Sequence, residues 1–362
     1  MQHSAPREAE RESNIELLRI FAMLCIVGFH AANRIDLVCR AGELSFNRFF
    51  VQTLRIGGDL GNSLFVLISG YFLVRSAFSV RRILRVWAQA MFYSLVLGAL
   101  AAALGRQLSP REWLDVFLPT ISVRLWFVTF YLLFSFFVPF LNRLLHTLNR
   151  RETGLLLLAM LVPFSLLRTV APGGFAGFTK LTMFFFYYCV GACVRLWPEA
   201  VRAFRPGRCF AAAAAVLALL LVYFGLCFHF EGRFSVLRAE RFNSMWSLPQ
   251  VALATLLFLA FKDLRLPRLR LVNAVAGACF GVYLIHYNFL WRDKVWQMAG
   301  DVASLGNTPS LAPRVLLAMA LIYVCCTLID MLRLRFVEPI YMRLIDRLPP
   351  VRRELAERER KA

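Results

Sequence analysis

Two ionisable side chains stand in one apolar stretch of this chain, Arg19 and His30. The run from Ile15 to Ala32 is long and apolar enough to cross a bilayer, which takes about 20 residues. Eleven residues make close to three helical turns. Arg19 and His30 therefore share a face, about 16 Å apart along the axis. Ionisable groups inside a membrane helix are expensive and read by default as functional. A histidine with a pKa near neutrality suits proton transfer. The ordinary alternative is a snorkelling Arg19 and a hydrogen-bonded core His30. Ser13 and Glu16 have the S-x-x-E spacing of a capping box, which predicts a helix start at Asn14.

Further polar residues recur at helical spacing. Ser69-Gly70, in the apolar run Gly61–Val74, offers a small patch where another helix can pack closely. Arg82 and Arg85 lie three apart on one face at the start of the next helix. A helix N-terminus attracts anions, and two guanidinium forks add bidentate phosphate contacts; ordinary membrane anchoring also explains such arginines. A fourth apolar run opens on Arg124-Leu-Trp126-Phe127. A ninth contains Tyr283-Leu-Ile-His286, whose Tyr283 and His286 share a face; a buried histidine donating to a carbonyl is the plain reading of His286. His3, His146 and His229 sit in or near loops. With no i, i+4 histidine pair and no carboxylate cluster nearby, no metal site is expected. The nine cysteines fall mostly in apolar runs and include no C-x-x-C pair, so they read as small packing residues.

The elements that position these residues are membrane helices. Apolar residues make up 59% of the chain and mean hydropathy is +0.60, above a soluble domain. The expected class is all-α, a polytopic membrane protein of about ten transmembrane helices. Their spans are Asn14–Asn33, Gly57–Val74, Ile83–Leu104, Leu125–Leu145, Gly154–Arg168, Lys180–Trp197, Phe210–His229, Trp246–Phe261, Val272–Trp291 and Val315–Leu332. The fifth is flanked by Pro163 and the Pro172-Gly173-Gly174 loop. The first run has no cleavage site after it, so it reads as a span and not a cleavable signal peptide. The organisation expected is a cytoplasmic segment 1–13, a membrane domain 14–336 and a cytoplasmic tail 337–362, with a solvated helix end from Arg352.

Ten crossings put both termini on one side. Placing them in the cytoplasm assigns 26 of the 42 basic residues to inner segments and 15 to outer loops, with Arg19 inside the membrane. That bias favours N-in, C-in. The net charge of +20 follows from this loop pattern, so no nucleic-acid partner is expected. Arg34, Arg40, Arg48 and Arg55 fall in the first outer loop, where they read as solvated or as facing an acidic substrate or lipid headgroups.

Taken in order, Arg19 and His30, Phe65-Val-Leu-Ile-Ser69-Gly70-Tyr71, Arg82-x-x-Arg85, Leu125-Trp126-Phe127 and Tyr283-Leu-Ile-His286 resemble the acyltransferase-3 family across nearly the whole chain. These are bacterial inner-membrane enzymes that O-acylate sugars and lipids. The resemblance implies a catalytic role for His30, and roles in acyl-CoA use for Arg19, Arg82 and Arg85. Tyr71, Trp126 and His286 are then the expected lining of the substrate pocket. The chain lacks the periplasmic esterase-like extension of some members, and the acidic residue those members carry after the fourth-helix tryptophan. It looks like the short form, similar to the O-acetyltransferase of enterobacterial common antigen.

The resemblance implies acetyl-CoA or another acyl-CoA as donor, no metal, and a surface glycan or lipid-linked sugar as acceptor. Phosphates on Arg82 and Arg85 and a pantetheine arm along the first helix would bring the thioester near His30. There the histidine acts as general base or as a transient acyl carrier; the residues leave both open. Arg19 contacts the arm or holds Glu16. The competing class is a transporter or flippase for an anionic glycan or lipid, which polar residues in helices also fit. No inverted repeat or matched pair of broken helices supports it. The oligomeric state is not set by the sequence.

Overall fold

The apolar periodicity yields helices throughout a computed structural model that describes residues 12–171, 180–234 and 237–361. Arg7, Arg11 and the Pro172-Gly173-Gly174 loop lie outside these residues. In chain order the α-helices are α1 Ser13–Ala32, α2 Phe46–Leu73, α3 Val80–Ala103, α4 Pro110–Phe117, α5 Trp126–Ser135 and α6 Val138–Thr147. There follow α7 Arg150–Leu161, α8 Leu167–Val170, α9 Lys180–Leu196, α10 Pro206–His229, α11 Leu248–Lys262 and α12 Arg270–Gly277. The last are α13 Cys279–His286, α14 Arg292–Gly300, α15 Leu311–Leu332, α16 Glu338–Asp346 and α17 Pro349–Lys361. Among the described residues there is no strand.

Six helical runs are long and apolar enough to span a bilayer: α1, α2, α3, Arg150–Val170, α10 and Leu311–Asp346. A seventh arises if α5 and α6, bent by 53° at their break, form one span. Leu248–Lys262 and Arg270–His286 are shorter apolar helices. Each of the ten expected stretches is helical, with departures that have local causes. The second helix begins eleven residues early, at Phe46. The fourth breaks after Ser135, where Pro139 enters the first turn of α6 and supplies no amide proton. Pro163 likewise turns the fifth into a π-helical segment, Val162–Leu166. The ninth is interrupted at Ala278 and ends at His286.

The capping box does not form. Ser13 is inside α1, and its hydroxyl donates to Asn273 Oδ1 at 3.0 Å and accepts from the Leu269 amide at 2.9 Å. Glu16 pairs with Arg19 at 3.3 Å instead. The tertiary contact with α12 outcompetes the local cap. The C-terminal segment is helical as expected, but its start is docked: Val351 is fully buried and Glu354 accepts from the Arg81 amide of α3 at 3.2 Å.

α1 sits at the centre. Ile15, Leu18 and Ala22 join one apolar core with α2, α9, α10 and α11, while Met23, Ile26, Val27 and Ala31 join another with α3, α13 and α15. The small patch at Ser69-Gly70 packs as its composition predicts. A Cβ on Gly70 would strike the Tyr188 carbonyl of α9, and one on Gly191 would strike the Leu67 carbonyl of α2.

Gly281 serves a different purpose. A Cβ there would collide with the buried carboxylate of Asp330 on α15. Asp330 also accepts from Tyr93 at 2.7 Å and Gln89 at 3.3 Å, and pairs with Arg333 at 2.6 Å. Arg333 reaches Glu338 at 2.6 Å, and Glu338 pairs with Arg85. Gly281→Ala forces this network apart, an overpacking cost of about 1–3 kcal/mol. Thermal unfolding in detergent should show a clearly lowered midpoint; an unchanged midpoint would mean that Asp330 moves aside freely.

Candidate active site

A cavity of about 320 Å³ opens where α3 begins and runs along α1. Arg19, Met23 and Ile26 of α1 line it, together with Arg82 and Arg85 of α3 and Cys279 and Tyr283 of α12–α13. Positions 19, 23, 26 and 30 follow i, i+4, i+7, i+11, one face of a helix. The cavity-lining face is therefore the face that carries His30. The cavity stops at Ile26 and Tyr283, one turn short of that residue.

His30 is 7% exposed and His286 fully buried. His30 Nδ1 lies 2.8 Å from His286 Nε2, and His286 Nδ1 lies 2.6 Å from the Val282 carbonyl oxygen. A carbonyl only accepts, so His286 Nδ1 carries a proton. With both rings neutral, His286 Nε2 then accepts, and His30 Nδ1 donates to it. This assignment leaves a lone pair on His30 Nε2, which has no hydrogen-bond partner among the described residues. The His30 ring stacks on Tyr287, with centroids 4.3 Å apart and planes 8° apart, and Tyr287 stacks on Tyr283 at 5.5 Å. The pair is thus oriented by a carbonyl on one side and an aromatic wall on the other.

Arg34, just beyond α1, donates to the His30 carbonyl at 2.8 Å and pairs with Asp293 at 3.3 Å. Burial lowers its pKa from the ordinary arginine value, and Asp293 opposes the shift. At the cavity mouth, Ser79 caps α3 by accepting from the Arg82 amide at 3.2 Å. The Arg82 guanidinium makes no ion pair or hydrogen bond among the described residues, whereas Arg85 is held by Glu338 and Arg19 by Glu16. Arg82 is the free fork, placed at a helix N-terminus where an anion is favoured.

The family model Acyl_transf_3, an acyltransferase domain, matches residues 12–331. The chain belongs to the acyltransferase-3 family. Neither the curated proteins nor the solved structures include a match to it. The acyltransferase is a multi-pass membrane protein of helices, and the histidine pair and every residue lining the cavity except Leu334 lie within the matched region.

The structure gathers Arg19, Arg82 and Arg85 into one cavity and joins His30 to His286 beyond its end. It does not bring Tyr71 or Trp126 to the cavity wall. Tyr71 accepts from Arg195 at 2.9 Å, with the guanidinium 4.7 Å over its ring. Trp126 carries the Lys180 ammonium 4.0 Å over its ring. Phe127 and Tyr131, next along the same helix, line the cavity instead. Sequence reasoning missed the chain Asp330–Arg333–Glu338 that holds Arg85. Its signal was present: Asp330 stands in an apolar helix three residues before Arg333, the same anomaly that marked Arg19.

Proposed function

We propose that this acyltransferase moves an acyl group, by default acetyl, from cytoplasmic acyl-CoA to a hydroxyl of a surface polysaccharide or lipid-linked glycan. The reading places it in a bacterial inner membrane with both termini cytoplasmic. One observation supports it: a single face of α1 leads from an arginine-lined cavity to a histidine paired through Nδ1 with His286, its Nε2 without a hydrogen-bond partner among the described residues.

At about 320 Å³ the cavity is at the small end of ligand sites, which run from about 300 to 1,000 Å³. It suits the donor's pantetheine arm, with the nucleotide outside and its phosphates on Arg82 and Arg85. The Arg19–His30 distance of about 16 Å lets an extended arm carry the thioester toward His30. Tyr283 closes the last turn, and its ring turns aside as the donor enters. His30 Nε2 takes the proton of the acceptor hydroxyl. The oxygen attacks the thioester carbon, the carbon–sulfur bond breaks, and the CoA sulfur leaves with the proton from His30. His286 positions His30 by accepting its Nδ1 proton.

The purified protein with acetyl-CoA and a glycan extract should release free CoA and acetylate the glycan together. Glycan movement across vesicles without CoA release would overturn the reading in favour of transport. A stoichiometric burst of CoA before acceptor is added, lost in His30→Ala, would place the acyl group on His30 itself.

The positioning role has its own test. His286→Ala strands the His30 Nδ1 proton and should lower kcat about tenfold, the worth of one lost hydrogen bond, with little change in the KM for acyl-CoA. His286→Gln, whose side-chain oxygen can accept the same proton, should recover much of the rate. Equal loss in both variants would make His286 a packing residue.

A further inference from the structure

A second cavity, of about 500 Å³, lies around the opposite end of α1, beyond His30. Its walls come from the segment after α1, the first turns of α2, and the end of α10 with the loop that follows. The arginines expected in a solvated loop are placed differently: Arg48 and Arg55 are on α2 and line this cavity. Its charged lining is Arg48, Arg55, Arg238, Glu231 and Glu240. Arg48 is neutralised by Glu231 at 2.7 Å and lies 4.1 Å over the Phe228 ring. Arg238 and Glu240 balance each other in sign and are both exposed.

Arg55 is left over. Its Nε is buried without a hydrogen-bond partner, and its guanidinium has no ion pair among the described residues. A guanidinium held without a counter-ion favours an anion, which it can grip with two parallel hydrogen bonds. The volume exceeds what a lone ion needs and falls within the range of small-ligand sites. Donors and acceptors of both signs around the wall suit an array of hydroxyl groups.

We propose that this cavity binds the acceptor, and that the acceptor is an anionic saccharide whose carboxylate or phosphate sits on Arg55. This rests on the acyl-transfer reading and names its substrate class. The surrounding residues leave one uncompensated positive charge, so one anionic group per bound unit is the match. Neutral glycans lose that contact and bind weakly.

The test uses the full-length protein in lipid nanodiscs and three probes: trigalacturonate, glucose 1-phosphate and the neutral maltotriose. Binding is read by tryptophan fluorescence. At least one charged probe should bind about tenfold or more tightly than maltotriose, and Arg55→Gln should erase that preference while leaving acetyl-CoA binding intact. Preference for trigalacturonate assigns the anion as a carboxylate; preference for glucose 1-phosphate assigns a phosphate. Equal binding of all three, or a preference that survives Arg55→Gln, overturns the proposal. CoA release with the glycan extract is measured on the same samples. Release that is indifferent to Arg55→Gln sinks the acceptor site but keeps the transferase, whereas Arg55-dependent binding without any release keeps the site and sinks the transferase.

Discussion

His30→Ala should abolish acyl transfer while leaving membrane insertion and abundance unchanged. The size of the loss follows from the role: a positioned general base contributes about 10²- to 10⁴-fold. In the proposed mechanism His30 Nε2 acts as the base, since His286 spends one nitrogen on the Val282 carbonyl and the other on His30. His286 cannot substitute for it, being fully buried behind His30. Folding should tolerate the change because the ring packs on Tyr287 near the end of α1, away from the glycine-mediated contacts between α2 and α9. Transfer rates and immunoblot abundance check both halves. Retained activity would remove His30 from the chemistry.

Arg82→Ala should raise the KM for acyl-CoA by about 10- to 100-fold with a smaller effect on kcat. Hydrogen bonds to a charged group are worth about 1.5–3 kcal/mol, and each 1.4 kcal/mol is tenfold. Arg82 has no carboxylate partner among the described residues, so in the proposed binding mode its guanidinium is free for the donor's phosphates. Arg85→Ala behaves differently. Its guanidinium belongs to the chain Glu338–Arg333–Asp330, so removing it disturbs the buried charges of α15 and α16 as well. Initial rates against acetyl-CoA concentration separate the two. An unchanged KM in Arg82→Ala would reduce that arginine to a topology signal.

The helices were legible because a long apolar run admits few alternatives, but among the described residues only six of the ten expected spans, or seven with the bent α5–α6 pair, are long and apolar enough to cross a bilayer. The shared face of Arg19 and His30 was legible for the same local reason, since helical geometry fixes it over three turns. What depended on contacts between distant segments was not. His286 stood out as a histidine in an apolar helix, yet its partner is 256 residues away and no spacing rule connects them. Ser13 and Glu16 carry a capping signature that is valid locally and loses to Asn273 and the Leu269 amide. Tyr71 and Trp126 were assigned to a pocket by likeness, and the cation that each ring meets, Arg195 or Lys180, could not be read from local sequence. The outer-loop arginines changed meaning once α2 proved to start at Phe46, which moved Arg48 and Arg55 from a loop to a cavity wall.

The inner cavity ends at Tyr283, a turn below the histidine pair. The structure of the protein bound to a non-hydrolysable thioether analogue of acetyl-CoA is the most direct test of whether the two form one passage. The account predicts the pyrophosphate on Arg82, the arm along Met23 and Ile26, Tyr283 turned aside, and the acyl carbon within reach of His30 Nε2. An analogue bound elsewhere, or one whose acyl group stops below an unmoved Tyr283, would contradict it.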